Sequence, residues 1–136
     1  MTRRALLLIP VTLCFAADPA GESAAVITEL AASLTARNAQ EFLAAFDRNM
    51  PGYDKLRANV TALVSQAETQ SYVDIVKNEG DDKARTLEIT WELRVQREGD
   101  AIASARREVR ITCKMEKQGK RWRIVVFDPL DFLGVG

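Results

Sequence analysis

The stretch LEITWELRVQ, residues 87–96, decides the fold because its apolar and polar residues alternate without exception. A period of two is typical of a β-strand with one buried face and one wet face. Residues 103–116 repeat the alternation, and Arg107 is the one charged residue in their apolar row. The sequence therefore predicts two long strands side by side, with an apolar face that another layer must cover.

Two more strand patterns flank this pair. One begins near Thr69, and the other covers residues 121–127 and ends before Pro129, because proline cannot donate to a β-ladder. Turn-forming residues at 78–82, 98–100 and 118–119 separate the four strands and predict antiparallel hairpins. The last strand is apolar on both sides, which predicts a central or doubly covered position.

Apolar residues recur at helical spacing in three segments upstream of the strands. The first covers residues 25–34, the second begins at Asn38 with Glu41 in capping-box position, and the third covers residues 53–67. Pro51 separates the second helix from the third, since proline cannot continue a helix. The predicted fold is α+β, with three N-terminal helices packed on a strongly curved four-stranded antiparallel sheet.

The first residues have the composition of a secretory signal peptide. Arg3 and Arg4 precede the apolar run at residues 5–15, and small residues follow. We therefore predict a signal peptide at residues 1–16, a linker at 17–24, a single domain at 25–133 and export to the periplasm or the medium. The residues before Cys14 resemble a lipoprotein box, but Leu13 is too large for that motif, which argues against a lipid anchor.

Composition excludes several classes of function. The chain has 136 residues, enough for one domain, and its 19 Lys and Arg residues balance its 19 Asp and Glu residues. This balance predicts no nucleic-acid partner, and no membrane partner once the signal peptide is removed. The chain has no His, and after signal cleavage Cys113 is its one cysteine, expected to be buried as a small hydrophobe. Neither a metal site nor a cofactor is predicted.

The helix pair at residues 26–34 and 39–46 and the ending RWRIVVFDP at 121–129 carry a family resemblance. The arrangement resembles the nuclear transport factor 2-like superfamily, in which a curved sheet wraps a long helix into a cystatin-like cone. The resemblance implies an apolar pocket at the wide end of the cone. For the outer face of the sheet, where residues of both charges alternate, the resemblance implies a polar dimer interface, and a solvated face is the alternative.

Enzymes of this superfamily, such as ketosteroid isomerases and scytalone dehydratases, use a carboxylate base in the cone with Tyr or His beside it. The present chain lacks His, has no Tyr in its first helix, and has Met50-Pro51-Gly52 where the family has a short strand. No catalytic residue is carried over from the resemblance.

The sequence predicts a domain that binds a small apolar ligand or a partner without catalysis. An isomerase or dehydratase with Asp47 or Asp128 as base and a structural dimerisation module are the alternatives. Arg107 is expected to pair with an acid, to turn outward at a bulge, or to hold an anionic ligand at the rim. The candidate pocket residues are Phe42, Tyr53, Trp91, Arg107, Met115 and Asp128.

Overall fold

The computed structural model describes residues 18–97 and 104–134. Within these ranges no helix has the length and apolar character needed to cross a membrane. The predicted signal peptide, Cys14 and the turn at 98–100 lie outside them, so export stays a prediction. The elements in chain order are α1 (Pro19–Thr35), α2 (Ala39–Ala44), α3 (Tyr53–Gln66), β1 (Ala67–Gly80), β2 (Ala84–Arg97), β3 (Ser104–Gln118), β4 (Arg121–Asp128) and a 3-10 turn (Asp131–Leu133).

This order confirms the α+β prediction, but α1 begins earlier than expected. The Asp18 carboxylate accepts a hydrogen bond from the backbone N–H of Ala20 at 3.2 Å, and Pro19 occupies the first helical position. Proline is well suited there, since that N–H has no helical partner in any case. Residues 19–24, predicted as a linker, are therefore part of the helix.

The short helix α2 ends at Ala44, before the predicted residue 46, because the chain turns to pair with the sheet. Phe46 forms a parallel bridge with Ile124. The backbone N–H of Asp47 donates to Ile124 O and that of Ile124 to Ala45 O, each at 2.8 Å. Residues 45–47 thus pair with β4 through a single bridge at Phe46, directly before the loop where the sequence showed no strand.

The sheet has the order β1-β2-β3-β4 with every neighbouring pair antiparallel. β4 is consequently an edge strand, so the central position, one of the two predicted from its apolar sides, is wrong. The bridge between Phe46 and Ile124 covers part of the free edge of β4. Irregularities in register at Ile75/Lys77 and Lys114/Met115 mark bulges, which bend long strands.

The helices cover the inner face of the curved sheet, and one hydrophobic core fills the space between them. The apolar row of β2 is buried from Leu87 to Val95, and Ile111, Cys113 and Met115 of β3 continue it. Cross-strand register places these rows side by side, with Trp91 opposite Val109. The period-two pattern therefore predicted the buried face of both strands correctly.

Candidate functional site

The interior of the cone is filled by its own side chains. Phe42 and Trp91 have no exposed surface, and Met115 is 1% exposed. Trp91 lies 6.1 Å from Phe127 between ring centroids, and its indole N–H donates to Ser71 Oγ at 3.1 Å. The fold brings the candidate pocket residues Phe42, Trp91 and Met115 together in the hydrophobic core.

The mouth of the cone is closed by the C-terminal turn, residues 130–134. Phe132 packs its ring 5.7 Å from that of Trp91, and Leu133 is completely buried. Lys55 of α3 adds a salt bridge to Asp131 at 2.9 Å from the solvent side. This closure is not evident from the sequence, because a short segment after Pro129 has no period from which burial can be read.

Arg107 has a role that none of its three predicted alternatives describes. Its strand keeps regular register with β2, opposite Leu93, so no bulge turns it outward. The guanidinium, half-buried, donates to the backbone carbonyl of Phe132 at 2.6 Å and to that of Gly134. Arg107 therefore satisfies carbonyls of the C-terminal turn and fastens that turn over the cone.

Asp128 lies outside the cone. It pairs in register with Thr112, and both residues are exposed, whereas Phe127 and Cys113 beside them are buried. The side chain therefore faces solvent on the outer side of β4, away from the aromatic cluster. A general base inside the cone cannot be built on Asp128 in this arrangement.

Asp47, the other candidate base, is held in its anionic form. It accepts a hydrogen bond from the backbone N–H of Asn49 at 2.8 Å and another from the Gln118 amide at 2.9 Å. These two bonds, with the charge of Arg123 nearby, lower the pKa of Asp47 below its ordinary value of 3.8. A base for proton abstraction near neutral pH needs a shift in the opposite direction.

The thiol of Cys113 is a structural group. Burial raises the pKa of Cys113 to about 12, so the nucleophilic thiolate is scarce at neutral pH. The described ranges also hold no cluster of three or more potential metal ligands from Cys, Asp and Glu.

Among the candidate pocket residues, Tyr53 lines a surface cavity. This cavity has a volume of about 530 Å³ and lies between α2, the loop before α3 and the turn between β3 and β4. Two other cavities, of about 480 and 390 Å³, open beside the C-terminal end of α1 and between α1 and β4. The cavity at Tyr53 also contains Arg48, Arg121 and Arg123, none of which the sequence analysis selected.

We expect stability to fall on acidification, because carboxylates in the folded chain hold their charge. Hydrogen bonds from Arg106, and to a smaller extent from Arg94, lower the pKa of Glu92 below 4.5. Hydrogen bonds from the backbone N–H groups of Lys83 and Ala84 lower the pKa of Asp81 below 3.8. A depressed folded-state pKa stabilises the fold at pH values above the unfolded-state pKa, and this contribution is lost as the pH falls through the folded-state value.

The thermal midpoint should therefore stay nearly level between pH 8 and 5, where a chain without His has few groups to titrate, and drop below about pH 4.5. Thermal unfolding followed by circular dichroism across this range measures it. A midpoint that rises below pH 4.5 would contradict the assignment of these shifts.

Comparison with known proteins places the fold but not the chemistry. No protein-family model matches the sequence, and the curated proteins yield no match. Among solved structures, an NTF-2 like protein of unknown function from Shewanella oneidensis has a TM-score of 0.63 at 12% identity, over 81% of this chain and 97% of that one. A Nostoc punctiforme protein of unknown function with a cystatin-like fold has a TM-score of 0.60 at 14% identity, over 79% and 90%.

A third similar structure, from Streptomyces avermitilis, is named as a candidate dehydratase of the NTF2-like family. Its TM-score is 0.66 at 7% identity, over 80% of this chain and 93% of that one. At such identities the similarity shows the fold alone. The chain therefore has the NTF2-like, cystatin-like cone fold that the sequence resemblance implied.

Proposed function

We propose that this chain is a binding domain without catalytic chemistry, and that it associates with a second copy of itself through the outer face of the sheet. The observation that carries the proposal is the filled cone. Since Phe42, Trp91 and Met115 occupy the interior and Phe132 closes it, binding surface is left on the outside. An apolar ligand inside the cone would first have to displace Phe132.

The charges on the outer face are largely neutralised within the chain. Glu92 accepts from Arg94 at 2.8 Å and from Arg106 at 3.0 Å. On the same face, Arg110 contacts Glu88 at 3.4 Å. The pairs that Arg106 and Arg110 form join β3 to β2. A face with its charges paired locally presents little net repulsion to an identical face.

The outer face also carries the large exposed apolar side chains of the described residues. Tyr72 is 53% exposed and Val76 is 51% exposed, and both lie on the edge strand β1. The guanidinium of Arg94 lies 5.1 Å from the centroid of the Tyr72 ring. Tyr and Arg are enriched in protein interfaces, since a ring and a planar guanidinium bury much area with few rotatable bonds.

A two-fold dimer suits this face, because an isologous interface uses the same patch twice and so needs self-complementary charges. Face-to-face contact also fits β1 better than pairing along its free edge. The bulge at Ile75/Lys77 and the charged Lys77 make that edge irregular, which discourages strand addition.

We expect the unmodified chain to form a dimer and Tyr72→Glu to dissociate it. Loss of an aromatic hot spot from an interface costs roughly 2 kcal/mol or more, so the dimer Kd should rise at least about 30-fold. Sedimentation equilibrium between low and high micromolar concentrations measures both. Thr61→Glu is the matched control, because Thr61 is exposed on α3, away from the sheet face.

Two results would overturn the dimer. One is a monomer at high micromolar concentration in the unmodified chain. The other is an equal loss of association in the Tyr72→Glu and Thr61→Glu variants.

A further inference from the structure

The cavity beside Tyr53 combines an apolar wall with cationic side chains. Leu43 and Phe46 of the α2 region form the wall, and the half-buried Tyr53 lies next to it. Arg48 and Arg121 line the same cavity and are exposed. Its volume of about 530 Å³ lies within the range of small-molecule sites, which is roughly 300–1,000 Å³.

The charges of this cavity are not balanced from within. Asp47 is its one carboxylate, and hydrogen bonds from Asn49 and Gln118 already occupy it. Arg123 donates to the carbonyl of Ala44 and stabilises the Asp47 charge. The charge of Asp47 is thus balanced by Arg123, and the charges of Arg48 and Arg121 are not balanced by a carboxylate of the cavity.

Those two arginines have no partner in the part of the chain that the structure describes. The guanidinium groups of Arg48 and Arg121 form no hydrogen bond and no ion pair with a described residue. The hydroxyl of Tyr53 likewise has no hydrogen-bond partner in the described ranges. Two guanidinium groups and a phenol, all of them donors, are therefore available to an acceptor that enters the cavity.

The backbone that carries these groups is fixed by the fold. The paired hydrogen bonds between residues 45–47 and Ile124, each at 2.8 Å, tie the loop that holds Arg48 to the strand that holds Arg121 and Arg123. The cationic residues come from two distant parts of the sequence and are held together by β4. Such support makes the donors part of a defined site and not of a random charged surface.

We propose that this cavity binds a small organic carboxylate with an apolar body. Arg48 and Arg121 take the carboxylate, for which the planar guanidinium offers paired donors. Leu43, Phe46 and the Tyr53 ring contact the apolar part. The site goes beyond the proposed dimer, since it lies by α2 and the turn between β3 and β4, and none of its lining residues is on the patch of Tyr72 and Val76.

The test is a titration of the whole chain, labelled with 15N, with phenylacetate, followed through backbone amide shifts. We expect saturable shifts clustered in residues 43–48 and 121–123. Phenylacetamide has nearly the same shape without the charge and should bind at least about tenfold more weakly, since a charge-assisted hydrogen bond is lost. Inorganic phosphate alone should also bind more weakly, because it gains nothing from the apolar wall.

Variants locate the binding. Arg121→Gln should weaken phenylacetate at least about tenfold, whereas Arg57→Gln should leave it unchanged. Arg57 is also an exposed arginine, lies on α3 near Asp54 and does not line the cavity. The dissociated Tyr72→Glu variant should bind as the unmodified chain does, which separates this site from the dimer.

Several outcomes would overturn the site. The proposed carboxylate site would be wrong if the amide shifts did not saturate or if phenylacetamide bound as tightly as phenylacetate. It would also be wrong if inorganic phosphate bound as tightly as phenylacetate. Equal losses in Arg121→Gln and Arg57→Gln would reduce the effect to general surface charge.

Discussion

Replacing Trp91 with alanine should lower the free energy of unfolding by about 3–5 kcal/mol, the cost of emptying a large aromatic site in a packed core. The indole has no exposed surface and contacts the rings of Phe127 and Phe132. Its loss also removes the hydrogen bond to Ser71. Urea denaturation followed by far-UV circular dichroism measures the change, and it is a large share of the 5–15 kcal/mol of an ordinary domain.

Thr90→Ala is the matched control for this substitution. Thr90 precedes Trp91 on β2 but faces the opposite side of the sheet, so its truncation leaves the core intact. A loss below about 1 kcal/mol in Trp91→Ala would contradict a filled interior. That result would restore the hypothesis of a small-ligand pocket inside the cone.

Replacing Arg107 with methionine should release the C-terminal turn and cost about 1.5–3 kcal/mol, the range for hydrogen bonds made by a charged group. Methionine keeps much of the apolar stem but donates nothing to the carbonyls of Phe132 and Gly134. The turn should then open locally, which exposes the edge of the aromatic cluster.

Hydrogen exchange gives the local readout for Arg107→Met. The amide of Leu133 donates to Leu130 O at 3.1 Å and that of Gly134 to Asp131 O at 3.0 Å, so both should exchange faster when the turn is released. Arg106→Met is the control, because Arg106 is the next residue but points to the outer face. Equal exchange rates and equal stability in the two variants would show that Arg107 does not hold the turn.

The candidate pocket residues show where sequence reasoning succeeds and where it stops. Phe42, Trp91 and Met115 were correctly placed on the inner side, since strand and helix periods decide which face is buried. Whether that side encloses a cavity depends on how much volume the other elements fill. Here Phe132, from a segment without any period, fills the last part of it.

The contacts of Arg107 and the lining of the cavity beside Tyr53 could likewise not be predicted from the sequence. An arginine in an apolar row signals that some acceptor must satisfy it, but the sequence offered carboxylates and the fold supplied backbone carbonyls. Arg48 and Arg121 are separated by more than seventy residues and look like ordinary surface charges in the sequence. Only the pairing of residues 45–47 with β4 brings them to one cavity.

The sequence by itself determined the three helices, the four antiparallel strands and the buried faces of β2 and β3, because those depend on local periodicity and on turn residues. The tertiary structure alone decided that the cone is full, that β4 is an edge strand and that the unpaired arginines share a surface cavity. These features depend on which distant segments meet, and neither the filling of a volume nor the pairing of a polar group is encoded in a local pattern.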